Sequence, residues 1–265
     1  MNRLALALDL NVIGKPFRAA LPDASRLSVR GVQFDAVGEL APAQLTGTAR
    51  RELRTLLRSY QLETAAINCP LRYGINVALD LEGRLSRIRE AMQLAADLGA
   101  NHVVVPMPKI PSDLDSPVAL LLKDSLQNLG KEGDRIGVLV GLEVGLDSGE
   151  AVRDYLNQWD FASLGITYDP ANFLLNGFDP LSSLTHLAKK IIYCHARDAR
   201  RAAVSGGARE VPVGAGDIEW LTMIATLEAI EYRGYLCVER EDVETRYADA
   251  AAGIQYLKRY VVAES

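Results

Sequence analysis

The hydrophobic positions of the chain alternate between short apolar runs and longer segments whose apolar residues lie three or four positions apart. The short runs are typical of buried parallel strands, and the longer segments are typical of helices that cover them. The predicted strands span residues 4–11, 31–36, 64–71, 102–107, 137–144, 164–169, 191–194 and 236–239. The predicted helices span residues 17–27, 46–60, 81–98, 116–129, 149–159, 180–189, 218–230 and 245–262.

This strict alternation of strands and helices predicts an α/β fold, a (β/α)8 TIM barrel. No Gly/Ser/Pro-rich linker divides the chain, so residues 1–265 are expected to form one barrel domain. A doubly wound open sheet is the alternative. It would need a glycine-rich phosphate-binding turn after the first strand, and the sequence NVIGKP at 11–16 has no such pattern.

Composition and charge limit the kinds of function that this protein is expected to have. A chain of 265 residues with 49% hydrophobic and 24% charged content is typical of a soluble globular protein. A net charge of -5 argues against binding to nucleic acid or to anionic membranes. The three cysteines lie in apolar strand-like runs and are expected to be reduced. With no recognisable signal peptide or membrane-spanning run, we expect a cytoplasmic protein.

Polar residues stand at the ends of the last four predicted strands. They are Glu143, Asp169, His195 and Glu239. In a TIM barrel the carboxyl ends of strands about 4.8 Å apart meet at one face, so these side chains can converge on one divalent ion. The mixed set suits Mn, Mg, Co or Zn without selecting one. The structural alternatives are a helix cap at Asp169 and a core histidine at His195.

The stretch IIYCHARDARR at 191–201 carries several arginines close to His195. Arg197, Arg200 and Arg209 make a phosphorylated or acidic substrate conceivable, although arginines on a loop are more often solvated. Polar residues near other strand ends could hydrogen-bond a polyol or simply face water: Asp9, Asn11, Gln33, Asp35 and Asn68.

From residue 137 to 260 the sequence resembles the xylose isomerase-like TIM barrel superfamily, which holds sugar isomerases and epimerases and also endonuclease IV-type repair enzymes. The ordered pattern of that family is a Glu, an Asp, a His followed by an Asp, a G-x-G-x-x-x-W segment and a Glu. Here it is present as Glu143, Asp169, His195 with Asp198, residues 214–220 and Glu239.

The resemblance implies a metal-dependent isomerase or epimerase of a small sugar, sugar phosphate or hydroxy-carbonyl compound. Glu143 and Glu239 would both bind the metal and be the catalytic residues. They would transfer a proton through a metal-bound enediolate. A dehydratase of a cyclic polyol, of the inosose type, would use the same site. A non-catalytic metal-binding or ligand-binding barrel is the alternative outside the enzymes.

Three further residues are expected to contact a carbohydrate-like substrate. Arg201 follows His195 by six residues, where the epimerases of the family carry a substrate-binding arginine. Trp220 is expected to shield the cavity, although helix–sheet packing explains it nearly as well. Asn172 stands where the family usually has a histidine; it can bind a hydroxyl but offers no imidazole. Asp198 is expected to orient His195 or Arg201.

The repair-nuclease branch is disfavoured by its histidine requirement. A three-metal site draws on several histidines, and this chain has only three, His102, His186 and His195. His102 is expected at the bottom of the barrel and His186 in a helix. The partner is therefore a small molecule, and the sequence leaves open whether the chain forms a homo-oligomer.

Overall fold

The computed structural model describes residues 4–202, 207–241 and 246–261. Eight parallel strands form the barrel: β1 Ala5–Asp9, β2 Gly31–Asp35, β3 Glu63–Asn68, β4 His102–Pro106, β5 Leu139–Glu143, β6 Leu164–Tyr168, β7 Ile191–Ala196 and β10 Tyr235–Val238. They close in the order β1-β10-β7-β6-β5-β4-β3-β2. The eight predicted strands and the TIM barrel are confirmed.

Helices cover the outside of the barrel. They are α1 Phe17–Arg26, α2 Gly47–Ser59, α3 Leu81–Leu98, α4 Pro117–Ile136, α5 Gly149–Leu156, α6 Pro170–Leu175, α7 Pro180–Leu187, α8 Trp220–Ala229 and α9 Arg246–Leu257. The observed bounds of α3 are those that the sequence predicts. The helix ends where expected because Gly99 adopts the left-handed conformation that stops it. Residues 245 and 262 of the predicted last helix lie outside the described residues.

The sequence pattern did not predict two elements, and both lie beside the site. The short helix α6 has six residues, too few to show a helical repeat. The other element is an antiparallel hairpin of β8 Asp198–Arg201 and β9 Ala208–Val211 between β7 and α8. The chain therefore leaves β7 directly into a second, small sheet instead of a solvated basic loop.

Side-chain size separates the inside of the barrel from the outer core. The interior cluster consists of small residues around one tyrosine: Ala7, Ala65, Ala66, Val104, Tyr193 and Cys237. Gly141 and Thr167 face the same side of the sheet, because a Cβ at Gly141 would collide with the Thr167 hydroxyl. The Tyr193 ring meets the His195 ring edge-on at 5.7 Å and forms the floor of the site.

The cysteines Cys69, Cys194 and Cys237 are all free and buried, as expected. Within the described ranges, no helix is both long enough and apolar enough to cross a membrane.

Candidate active site

Four side chains from four neighbouring strands meet at the carboxyl end of the barrel. The His195 Nδ1 atom lies 3.3 Å from Glu143 Oε1, 3.7 Å from Asp169 Oδ2 and 3.1 Å from Glu239 Oε2. Glu143 ends β5, Asp169 follows β6, His195 lies in β7 and Glu239 follows β10. The structure therefore brings together all four residues that the sequence proposed as ligands.

Three of these residues fit a metal ion. One ligand atom each from Glu143, His195 and Glu239 lies within 4.8 Å of the other two. The His195 Nδ1 and Glu239 Oε2 atoms are buried and make no hydrogen bond, although they are only 3.1 Å apart. Buried polar atoms are normally satisfied. Two such atoms beside a third ligand atom form a group that could hold a divalent cation.

Asp169 differs from the other three because both of its oxygens already have partners. Oδ1 accepts a hydrogen bond from the Asn172 backbone N–H at 3.0 Å and caps α6. Oδ2 accepts one from Arg197 Nη1 at 3.0 Å. Burial alone would raise the pKa of Asp169, but Arg197 and His195 outweigh it and lower the pKa to about 2. Asp169 is ionised and already neutralised by an arginine.

Arg197 is a buried part of the site, contrary to the expectation of a solvated loop residue. It is 2% exposed. Besides Asp169, its guanidinium pairs with Glu210 at 3.1 Å and with Glu241 at 3.0 Å. With these contacts made, Arg197 is not available to bind a phosphate. The alternation of β7 could have revealed this, because residues 195 and 197 point to the same side of an extended chain.

Asn172 links Arg197 to Glu143. Its Oδ1 accepts from Arg197 Nη1 at 3.1 Å, and its Nδ2 donates to Glu143 Oε1 at 3.3 Å. The side-chain amide thus has both ends occupied within the protein. Asn172 thus holds a carboxylate in place, and its direct contact with a substrate hydroxyl stays a prediction.

The crowding of carboxylates changes the protonation of Glu239 and His195. Burial, together with the charges of Asp9 and Glu143, raises the pKa of Glu239 to about 8, against the opposing effect of His195. Burial would lower the pKa of His195, but Glu239, Asp169 and Glu143 raise it well above its usual value. In the absence of a cation, the cluster therefore retains protons at neutral pH.

Asp198 organises the loop that follows the hairpin. Its carboxylate accepts hydrogen bonds from the backbone N–H groups of Gly214, Gly216 and Ile218 and from Trp220 Nε1, at 2.8 to 3.3 Å. Asp198 therefore holds this loop, whereas the sequence predicted that it would orient His195 or Arg201. Trp220 is 1% exposed, so it packs in the outer core with its N–H used by Asp198.

Arg201 lies on the exposed side of the hairpin. Its backbone N–H donates to Asp217 at 2.8 Å, and the residue lines a cavity of about 260 Å³ together with Leu174, Pro180 and Met223. None of the four proposed ligands lines this cavity. Arg200 and Arg209 lie directly opposite each other in the hairpin, so their side chains leave the same face of this small sheet.

Strands β1 to β3 complete the opposite wall. Gln33 is fully buried and its Oε1 lies 3.1 Å from His195 Nε2. Asn68 donates to Asp35 at 2.8 Å. Burial and the charge of Asp35 raise the pKa of Asp9 to about 6. The sequence identified these residues as polar strand ends, but the contact between Gln33 and His195 joins residues 162 positions apart and has no local signal.

Comparison with known proteins identifies the family of this chain. The model of the xylose isomerase-like TIM barrel family matches residues 21–260. The chain belongs to this family. An inosose dehydratase from Geobacillus kaustophilus is 28% identical over 133 residues, which cover 44% of this chain and 43% of that protein. The rhizopine catabolism protein MocC from Rhizobium meliloti is 25% identical, with 61% of this chain and 58% of that protein covered. The matched regions span about half the length of these relatives.

Solved structures share the fold over nearly the whole chain. A xylose isomerase domain protein from Planctomyces limnophilus is 22% identical with a TM-score of 0.84, covering 97% of this chain and 99% of its own. A D-tagatose 3-epimerase-like protein is 19% identical with a TM-score of 0.79, covering 97% of each chain. A family protein from Mycobacterium smegmatis, in complex with magnesium, is 16% identical with a TM-score of 0.78, covering 98% and 96%. At these identities the likeness shows the fold alone.

Proposed function

We propose that this protein is a divalent-metal-dependent isomerase or epimerase of a small sugar or hydroxy-carbonyl compound. The observation that carries the proposal is the convergence of Glu143, His195 and Glu239, in which His195 Nδ1 and Glu239 Oε2 are buried without hydrogen bonds. A magnesium complex and a 3-epimerase-like protein among the structural relatives support it.

The chemistry follows from the position of the two glutamates. When bound, a divalent ion would polarise a substrate carbonyl and make the neighbouring C–H more acidic. Glu143 on β5 and Glu239 after β10 approach His195 Nδ1 from different strands, at 3.3 and 3.1 Å. One carboxylate would remove the proton, and the other would return it. Asn172 would hold Glu143 in place through its 3.3 Å hydrogen bond.

A polyol dehydratase is the second candidate. The observation that favours it is the sequence similarity to an inosose dehydratase. The same glutamates would remove a proton next to a carbonyl, but the adjacent hydroxyl would then leave as water. A single experiment separates the two reactions, because only dehydration changes the mass of the product by one water.

The test is a panel of ketoses and inososes incubated with protein and Mn²⁺ in D₂O, analysed by mass spectrometry and NMR. Deuterium at the carbon next to the carbonyl, with the mass otherwise unchanged, supports the isomerase or epimerase. Loss of water supports the dehydratase. Binding of metal without either change would favour the non-catalytic barrel.

Glutamate variants connect the activity to the site. Glu143→Gln and Glu239→Gln should each lower turnover by about 10²- to 10⁴-fold, the usual range for acid–base groups. Glu228→Gln, on the exposed side of α8, is the matched control and should keep turnover. Unchanged deuterium exchange in both site variants would contradict the proposal.

A further inference from the structure

The two ring nitrogens of His195 face different surroundings. Nδ1 points to the carboxylates at 3.1 to 3.7 Å, whereas Nε2 lies 3.1 Å from Gln33 Oε1 across the barrel. His195 is 2% exposed and Gln33 is 0% exposed, so solvent does not compete for this contact. We infer that Gln33 is a positioning residue that keeps a proton on His195 Nε2 and thereby leaves Nδ1 as the metal-binding nitrogen.

The need for such a residue follows from imidazole chemistry. A neutral imidazole carries one proton, and only the other nitrogen can bind a metal. The three carboxylates around Nδ1 would by themselves attract the proton to Nδ1, because they are strong acceptors. An acceptor at Nε2 opposes this preference. Without Gln33, the tautomer with its proton on Nδ1 would be favoured, and metal binding would first have to move that proton to Nε2.

The orientation of the Gln33 amide agrees with this role. Its Oε1 faces His195, while its Nε2 is buried with no hydrogen-bond partner among the described residues. The reversed amide would direct an N–H group at the Nε2–H of a metal-binding ring, which is repulsive. The protein therefore leaves one amide donor unsatisfied and keeps the acceptor on the histidine.

The choice of an amide also fits the charge of the cavity. Glu143, Asp169 and Glu239 surround the other nitrogen, and Asp9 lies buried at the end of β1. A carboxylate at position 33 would add one more negative charge to this closed space. Glutamine supplies the required acceptor without a charge.

This inference rests on the proposed metal-dependent function, so its test includes a measurement that needs no metal. The first measurement is calorimetric titration of MnCl₂ into wild type, Gln33→Leu, Gln33→Glu and Asn68→Leu. Gln33→Leu should weaken Mn²⁺ binding by about 10- to 100-fold, as is typical when the hydrogen-bond partner of a ligand is lost. Gln33→Glu, which keeps an acceptor, should bind at least as tightly as wild type. Asn68→Leu removes an amide on the neighbouring strand that donates to Asp35, and should change the affinity little.

The second measurement is long-range ¹H–¹⁵N NMR of the histidine rings in metal-free protein. The His195 Hε2 signal should be downfield in wild type and Asn68→Leu, and should lose that shift in Gln33→Leu. Unchanged Mn²⁺ affinity and an unchanged Hε2 signal in Gln33→Leu would overturn the role of Gln33. A wild-type protein that binds no Mn²⁺ would instead overturn the proposed function, and the Hε2 signal would still decide on Gln33.

Discussion

Replacing Glu239 by glutamine should stabilise the metal-free protein, although it removes a catalytic group. Burial and nearby carboxylates raise the pKa of Glu239 from 4.5 to about 8. At about 1.4 kcal/mol per pH unit, this shift corresponds to at most about 5 kcal/mol lost from the free energy of unfolding. The Glu239 side chain remains 16% exposed, so part of this cost is relieved by water. We expect a gain of about 2 to 3 kcal/mol for Glu239→Gln at alkaline pH.

The stability gain of Glu239→Gln depends on pH. A carboxyl group whose folded pKa is raised contributes its full stability below the unfolded pKa and loses it as pH rises from 4.5 to about 8. The advantage of Glu239→Gln should therefore be small near pH 4.5, grow through neutrality and level off above pH 8. Urea unfolding of chelator-treated protein across this range measures it.

Two comparisons make the stability experiment specific. Glu228→Gln changes an exposed glutamate in the same way and should give no pH-dependent gain. Added Mn²⁺ should stabilise wild type by about 2.7 kcal/mol at one hundred times its dissociation constant, and should stabilise Glu239→Gln less. A metal-free Glu239→Gln protein that is less stable than wild type at pH 8 would show that the buried, ionised Glu239 does not destabilise the fold.

Further variants test the groups around the ligands. Asp169→Asn should lower the free energy of unfolding in urea by about 3 kcal/mol, because it leaves the buried Arg197 short of a charge partner. The control Asp160→Asn changes an exposed aspartate and should lower it little. An equal effect of both variants would contradict the ion pair between Asp169 and Arg197. The ionised Asp169 contributes stability above its unfolded pKa of 3.8 that is lost as pH falls toward 2, so the difference between Asp169→Asn and wild type should shrink in acid. Asp198→Asn should speed amide hydrogen exchange at Gly216 by about tenfold, the effect of roughly 1.4 kcal/mol; unchanged exchange would show that the carboxylate does not hold the loop.

Local sequence patterns were sufficient to predict the barrel and the location of its site. Eight apolar runs alternate with eight helical segments, and both periodicities are short-range properties of the chain. Since parallel strands end at one face of a barrel, Glu143, Asp169, His195 and Glu239 could be grouped without coordinates. The hairpin and α6 lack such a repeat because each strand or helix has only four to six residues.

The partners of the ligands depend on contacts between distant parts of the chain. The sequence determined that a histidine and three carboxylates meet, because their positions follow from strand order. Only the tertiary structure decided that Arg197 neutralises Asp169, that Asn172 holds Glu143 and that Gln33 meets His195 from across the barrel. The physical reason is that strand periodicity fixes the side to which a residue points, whereas closure of the barrel fixes which residue it faces.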